Sequence, residues 1–579
     1  MRVHLRLGVL LLCVFPLACQ RAPENQTPLR LIDRIPVDSR FVMNIDGELR
    51  WVLPWLGPEQ RFPLVDAPTR PILTFAAGLK GRRIVRFEVL LEPKQGDQIS
   101  LYAKEVDREG WHEERIDLSD RDLNGSTLVF RRTVLKGFEE PPPYGAWANP
   151  TLLPAAPAKR PSVILVSLDT LRADRVGAYG REGARTPALD QLAGAGVQYQ
   201  RAYAPSTWTI PSHASLFYGA YLPDTPGVLR ETRQVPQTAE LPDRPIAEIL
   251  RGVGYLTAGF TGGGFLGYPW DFSRGFDTYF SYSQVVGTAP LCGPQRFDGP
   301  EVFRRATEWL RRSHGAPFFL FVHTYDVHDR CPFFQPDIVT PDAKPFYGGP
   351  SVDRADHQKV SDYYDQMIEE TDRRLAGLLA AVDALGLRDD TLVIVISDHG
   401  EGFSEHGLSA HGCDMKPYEE LARVPLLVRF PGRAPAGERV AAPVSLIDVV
   451  PSILALLGLP REPKMAGGVL PGLGLPSTPG PSEPVYDHCG AVLAVWRGQH
   501  KLITWRDRRQ SDEIYDLSQD PNERTNLGSS DPNAAALAAD AEAFWKTALI
   551  QPNAPATNAQ KPELDDATRQ RLRDLGYLK

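Results

Sequence analysis

The hydrophobic pattern changes character along the chain. Between Arg30 and Gly137, apolar and polar residues alternate in short runs such as "RIVRFEVLLEP", "QISLYAKEV" and "STLVFRRTVL", separated by Gly, Asp and Asn. A period of two broken by turn residues predicts antiparallel strands, here a β-sandwich over 30–137. "EEPPPYGAWANPTLLPAAPAKRP" follows, and its proline content predicts a semi-rigid connector over 138–160. The runs "VILVSLD", "YLTAGF", "FFLFVHTYD" and "TLVIVISDHG" then read as strands covered on both faces. They alternate with helical stretches such as "RRATEWLRR" and "DYYDQMIEETDRRLAGLLAAVDALG". That alternation predicts an α/β domain over 161–465, a mostly parallel sheet sandwiched by helices. A second Pro/Gly-rich passage introduces a small strand-bearing unit over 466–530. The remainder, 531–579, carries a helical tail whose last segment opens at Asp565 and Asp566.

The start of the chain follows neither period. Arg2 and Arg6 lead into an apolar run from Leu7 to Leu17, then Ala18 and Cys19: a signal peptide over 1–19, too short for a membrane span. A cysteine after a small residue resembles a bacterial lipoprotein cleavage site. That resemblance implies a lipid on Cys19 and a place in the bacterial cell envelope, anchored to the membrane or periplasmic. Pro16 and Leu17 depart from the pattern, so plain secretion stays open. Cys292, Cys331, Cys413 and Cys489 are widely spaced, with no C-x-x-C pair, which argues against a cysteine metal site and for one or two disulfides in an oxidising compartment. With 579 residues the chain exceeds one core, and its net charge of -8 gives no electrostatic case for nucleic acid.

Two of the apolar strands end on candidate chemistry. Asp169 follows one, Asp398 and His399 another, and ligands in open α/β sheets gather at such carboxyl ends. Either acid alone would cap a turn. Together on one edge they repel unless a cation lies between them. Carboxylate and imidazole suit calcium, zinc, manganese or magnesium. Between them in sequence, "YAPSTWTIPSHASLFYG" combines a hydroxyl-rich turn, Pro211 and a run able to start a helix, whose N-terminus can hold an anion. Thr209 stands at that mouth, where a cation can turn its hydroxyl into a nucleophile toward phosphorus or sulfur. Ser206, Thr207 and Thr209 equally qualify as N-caps.

These segments resemble the sulfatase family of the alkaline phosphatase superfamily, from about Pro161 to Leu527. "SDHGEGFSEHG", "YEELARVPLLVRFPG", "VSLIDVVPSILALLGL" and "EIYDLSQDPNERTNL" carry the likeness too. The resemblance implies an alkaline-phosphatase-like fold, hydrolysis of sulfate or phosphate esters, and one divalent metal on Asp169, Asp398 and His399, touched by the nucleophile Thr209. The family's nucleophile motif is Cys or Ser, any residue, Pro, any residue, Arg; this chain reads Thr209, Ile210, Pro211, Ser212, His213. Threonine cannot become formylglycine, so none is expected, and a covalent phospho- or sulfo-threonine is implied instead. Thr170 stands where the family often has a second acidic ligand. His328 matches the histidine that protonates the leaving oxygen, and His411 or Lys416 stands in for an active-site lysine. His213 takes the place of the motif arginine, toward the nucleophile or the anion. Asp326, His328 and His411 offer a second metal site, although the two-residue spacing of the first pair favours a single ion. The implied partner is a sulfated or phosphorylated small molecule, glycan or lipid head group, with the membrane reached through the lipid anchor. Two alternatives remain: a phosphoryl-alcohol transferase of the cell envelope, and an inactive member that binds an anionic glycan.

Overall fold

Five strands run parallel in the spatial order Thr391–Ile396, Ser162–Leu168, Phe318–Thr324, Leu256–Thr261 and Thr278–Ser281. The structure, a computed structural model, describes residues 27–54, 57–136, 145–154, 160–222, 244–267, 270–282, 298–328, 357–403, 405–407, 409–413, 415–476, 484–548 and 566. The signal with Cys19, the cysteines 292 and 331, and most of the tail lie outside them.

The unbroken apolar runs have the cause expected of them. Val163 and Leu165 pack on one side of the sheet with the helices Thr209–Tyr218, Ile246–Gly252 and Val449–Leu456. Ile164, Val166 and Leu168 pack on the other with Pro187–Gly194, Gly299–Ser313 and His357–Ala384. A strand buried on both faces has no polar side to alternate with. The register places Ser167 beside Ile396, so the next residues but one, Asp169 and Asp398, leave the sheet level with each other.

The N-terminal region forms two antiparallel sheets around Phe75, Phe87, Phe130 and Trp147. One of them does not stop at the sandwich. Glu48–Val52 pairs antiparallel with Thr278–Ser281, and this seam joins it to the parallel strands as one 14-stranded sheet. The connector expected over 138–160 is corrected in part, because Gly145–Pro154 is a strand inside that sheet, paired with Pro71–Leu79. Its prolines sit where a strand tolerates them: Pro150 within a register shift between Ala148 and Thr151, Pro154 at the end. Both of its faces are buried, Trp147 and Leu152 in one cluster and Ala146 and Ala148 in another.

A four-stranded sheet, Val485–Cys489 to Glu513–Asp516, forms the C-terminal unit and carries the helix Ala534–Ala543. Buried Lys501 pairs with Glu523 within the unit at 2.7 Å and ties it to the larger domain through Glu419 at 3.3 Å. Burial, helped by Glu419 and opposed by Lys501, lifts the Glu523 carboxyl to about 7. The folded chain therefore holds a proton that the unfolded chain releases in that range. This contribution is complete below the unfolded carboxylate pKa and lost as pH rises through about 7. Glu523→Gln is expected to lose less Tm than the unaltered protein between about pH 5 and about pH 8. Identical slopes in a thermal scan would count against a protonated Glu523.

Candidate active site

Asp169 lies just past the end of one parallel strand, and Asp398 and His399 just past the end of its neighbour; all three are fully buried. Asp169, Asp398 and His399 each offer one ligand atom within 4.8 Å of the others. Asp169 Oδ1 and Asp398 Oδ2 are buried and accept no hydrogen bond. Burial and the Asp398 charge push Asp169 well above the usual carboxylate range. Asp398 is held low against its own burial by His399, His213 and the Thr170 amide. Two carboxylates with vacant lone pairs beside an imidazole are the donor set a divalent cation requires. His399 Nδ1 donates to the Gly400 carbonyl at 3.0 Å, which leaves Nε2 as the lone-pair nitrogen facing inward.

That nitrogen lies 3.3 Å from Thr209 Oγ1. Thr209 is the first residue of the helix Thr209–Tyr218, every residue of which is buried. The N-cap is Trp208 without a side-chain bond, so none of Ser206, Thr207 and Thr209 acts as the cap. Two contacts fix the first turn: Ser212 Oγ donates to the Asp398 carbonyl at 2.7 Å, and His213 Nδ1 donates to the Thr209 carbonyl at 2.9 Å. Thr170, a β-branched residue at φ 60, is strained into the left-handed region. Its amide donates to Asp398 Oδ1 at 3.2 Å, its hydroxyl to the Asp169 carbonyl at 2.7 Å, and its carbonyl accepts from Tyr364 at 2.6 Å. A residue where the family often has another ligand instead braces the Asp398 carboxylate and the Asp169 backbone.

On the opposite side, His411 Nδ1 donates to Glu401 Oε2 at 3.2 Å, and His411 Nε2 faces His328 Nε2 at 3.3 Å. The ring centroids of His399 and His411 are 4.3 Å apart, so this carboxylate–imidazole–imidazole chain reaches the ligand cluster. A proton can be shared between the two facing nitrogens and delivered from there.

The family model described as "Sulfatase" matches residues 161–459, and one described as "N-sulphoglucosamine sulphohydrolase, C-terminal" matches 411–544. The chain belongs to the sulfatase family. Members of this family are metal-dependent sulfuric ester hydrolases. Steryl-sulfatase of Mus musculus is 26% identical, over 61% of this chain and 71% of its own. Arylsulfatase A of Homo sapiens is 28% identical, over 64% and 84%. The solved phosphonate monoester hydrolase of Agrobacterium radiobacter shares the fold, with a TM-score of 0.51 and 21% identity over 67% of this chain and 95% of that one.

Against the sulfatase pattern, one expectation needs correction and two open alternatives narrow. Lys416 is turned away: its ammonium pairs with Glu513 at 2.5 Å in the C-terminal unit, so of the two candidates for the lysine position only His411 lies in the cluster. Of the two directions open to His213, the ring takes the one toward Thr209. Its Nδ1 is spent on the Thr209 carbonyl, its Nε2 accepts from Ser167 at 3.0 Å, and burial lowers its pKa, so it is a neutral brace under the Thr209 turn. The second metal site is not assembled, because Asp326 accepts from Arg374 at 2.8 Å and from the Gly299 amide at 2.9 Å.

Two participants were not assigned a role from sequence. Glu401 stands in an irregular loop where no period predicts direction. His323 contacts Asp169 Oδ2 at 3.1 Å from within an otherwise apolar strand, and an ionisable residue there was the available signal.

A disulfide, Cys413–Cys489, holds the His411 loop to the C-terminal sheet. Beside it, Thr207 Oγ1 donates to the Gly412 carbonyl at 3.2 Å and the His488 amide to Pro205 at 3.0 Å, so the bridge also steadies the approach to Thr209. The bridge spans 76 residues, and replacing both cysteines with alanine is expected to cost about 2–4 kcal/mol in denaturant unfolding and to lower kcat. An unchanged midpoint would show that the packing alone holds the loop.

Proposed function

We propose that this chain hydrolyses sulfate or phosphate esters by attack of the Thr209 hydroxyl on sulfur or phosphorus. The observation that carries the reading is the position of Thr209 Oγ1, at a buried helix N-terminus and 3.3 Å from the inward nitrogen of His399, beside two carboxylate oxygens that accept no hydrogen bond. Asp169, Asp398 and His399, with the Thr209 hydroxyl beside them, would hold a divalent ion; bound calcium, zinc, manganese or magnesium would neutralise the carboxylates and lower the pKa of the hydroxyl. The helix amides turn toward the oxygens of the transferred group. As Thr209 Oγ bonds to sulfur or phosphorus, the bond to the ester oxygen breaks. That oxygen takes a proton from the His328–His411 pair, which Glu401 keeps oriented, and the threonine proton passes to solvent. Water then attacks the sulfo- or phospho-threonine, Thr209 is regenerated, and the relay regains a proton.

The sulfatase names of the relatives support a sulfate ester. The threonine supports a phosphate ester, because formylglycine chemistry is closed to it. The substrate class is a sulfated or phosphorylated small molecule, glycan or lipid head group. Export through residues 1–19, with a lipid on Cys19, belongs to the same reading, and the Cys413–Cys489 bridge supports an oxidising compartment. The test is hydrolysis of an aryl sulfate, a phosphomonoester and a phosphodiester by protein loaded in turn with each of the four metals. An acid-quenched reaction should yield a peptide modified at Thr209. No turnover of any substrate with any metal, or a modification elsewhere, would refute the mechanism.

A further inference from the structure

The seam between the N-terminal sheet and the parallel strands opens a cleft of about 450 Å³ beside Leu256, at the amino end of its strand. The ligand cluster of Asp169 and Asp398 lies at the carboxyl ends, so the two sites face opposite edges of the sheet. The cleft has the volume of small-molecule sites. Phe75 and Trp309 wall it, and Thr74, Asn149, Thr151 and Thr278 are on its lining.

The polar atoms of this lining are unevenly used. Thr74 Oγ1 donates to the Thr151 carbonyl at 3.3 Å, and Thr151 Oγ1 to the Asn149 carbonyl at 2.9 Å. Asn149 Nδ2 donates to the Asp277 carbonyl at 2.9 Å and to Thr278 Oγ1 at 3.2 Å. The donors are therefore committed, whereas Asn149 Oδ1 is buried and has no partner. Asn149 sits at the register shift of its strand with φ 47, so the irregularity that admits Pro150 also turns this amide. An orphaned acceptor calls for a hydroxyl or amide donor.

The charges are uneven in the other sense. Asp277 is held by Arg30 at 3.0 Å and Arg251 at 2.8 Å, Glu114 by Lys104 at 3.0 Å, and Arg50 by Glu48 and Glu113. Arg115 and Arg311 form no salt bridge among the described residues, and Arg312 reaches Glu113 at 3.8 Å. The carboxyl-terminal dipole of the helix Gly299–Ser313 favours cations at Arg311 and Arg312, but it does not call for Arg115 on the opposing strand. Guanidinium groups from two elements over one mouth suit a sulfate or phosphate group.

We propose that this cleft binds a hydroxyl-bearing organic anion of sugar size, a sulfated or phosphorylated monosaccharide unit, with its charged group at Arg115 and Arg311 and a hydroxyl on Asn149 Oδ1. The site is independent of the catalytic reading, since it uses none of the same residues. The test is titration calorimetry on the full chain carrying Thr209→Ala, with glucose 6-sulfate, glucose 6-phosphate, glucose and inorganic sulfate as probes. Adding Arg115→Ala and Arg311→Ala, both at exposed positions, is expected to weaken the sugar esters at least about tenfold, roughly 1.4 kcal/mol, at one binding event. In the chain with Thr209 intact, the two arginine changes should leave aryl sulfate hydrolysis unaltered. Neutral glucose or inorganic sulfate binding as tightly as the esters would overturn the proposal. So would isotherms indifferent to the arginine changes, or heat that vanishes instead with Asp398→Asn, which would put the ligand in the catalytic cluster.

Discussion

Thr209→Ala is expected to lower kcat for ester hydrolysis by on the order of 10⁴-fold or more while leaving Tm close to that of the unaltered protein. The two halves of that expectation have separate causes. Thr209 is fully buried, and its hydroxyl meets His399 rather than capping the helix, so removing it leaves a small gap and no orphaned backbone donor. The loss of rate then reports chemistry and not unfolding. Thr209→Ser keeps a hydroxyl at the same place and is expected to stay within about tenfold of the unaltered enzyme, because serine is an equally competent alcohol nucleophile. The pair is read by steady-state kinetics beside a thermal scan. An alanine variant that retains its rate would reduce Thr209 to a packing residue. A large fall in Tm would assign the loss to the fold.

The fold and the meeting of two acids and an imidazole at one sheet edge were legible in the sequence for the same reason. A run such as Val163–Leu168 has no polar alternate because both of its faces are covered, and a lone acid at its end then stands out. Asp398 and His399 repeat that pattern, and strand register alone brings them level with Asp169. What was not legible lies where no period applies. The strand Gly145–Pro154 was hidden by its prolines, which a bulge and a strand end absorb. Glu401 and the separation of His411 from Lys416 depend on loop paths set by long-range contacts, a disulfide and an ion pair, that no local pattern encodes. His213 stayed between two alternatives because sequence position gave its place on the helix but not the direction of its ring, which Ser167 and the Thr209 carbonyl determine.

Chelation is expected to abolish turnover and lower Tm, and Asp169→Asn is expected to separate those two effects. In the metal-free protein, the Asp169 and Asp398 carboxylates lie together with full burial and no cation to offset their repulsion. An ion that binds the folded state at a hundred times its Kd adds about 2.7 kcal/mol, so the unaltered protein should gain Tm on titration with its metal. Asparagine at 169 removes the carboxyl whose burial beside Asp398 is costly in the metal-free protein and offers an amide donor beside Asp398 Oδ2, which accepts no hydrogen bond. The metal-free Asp169→Asn protein should therefore melt above the metal-free unaltered protein, yet gain little from added ion and turn over substrate at least about 10³-fold more slowly. Opposite signs for stability and activity from one substitution would be hard to obtain from general damage to the fold. A Tm in the unaltered protein that ignores both chelator and all four metals would remove the cation from the site, and with it the reason for two acids to share one buried edge of the sheet.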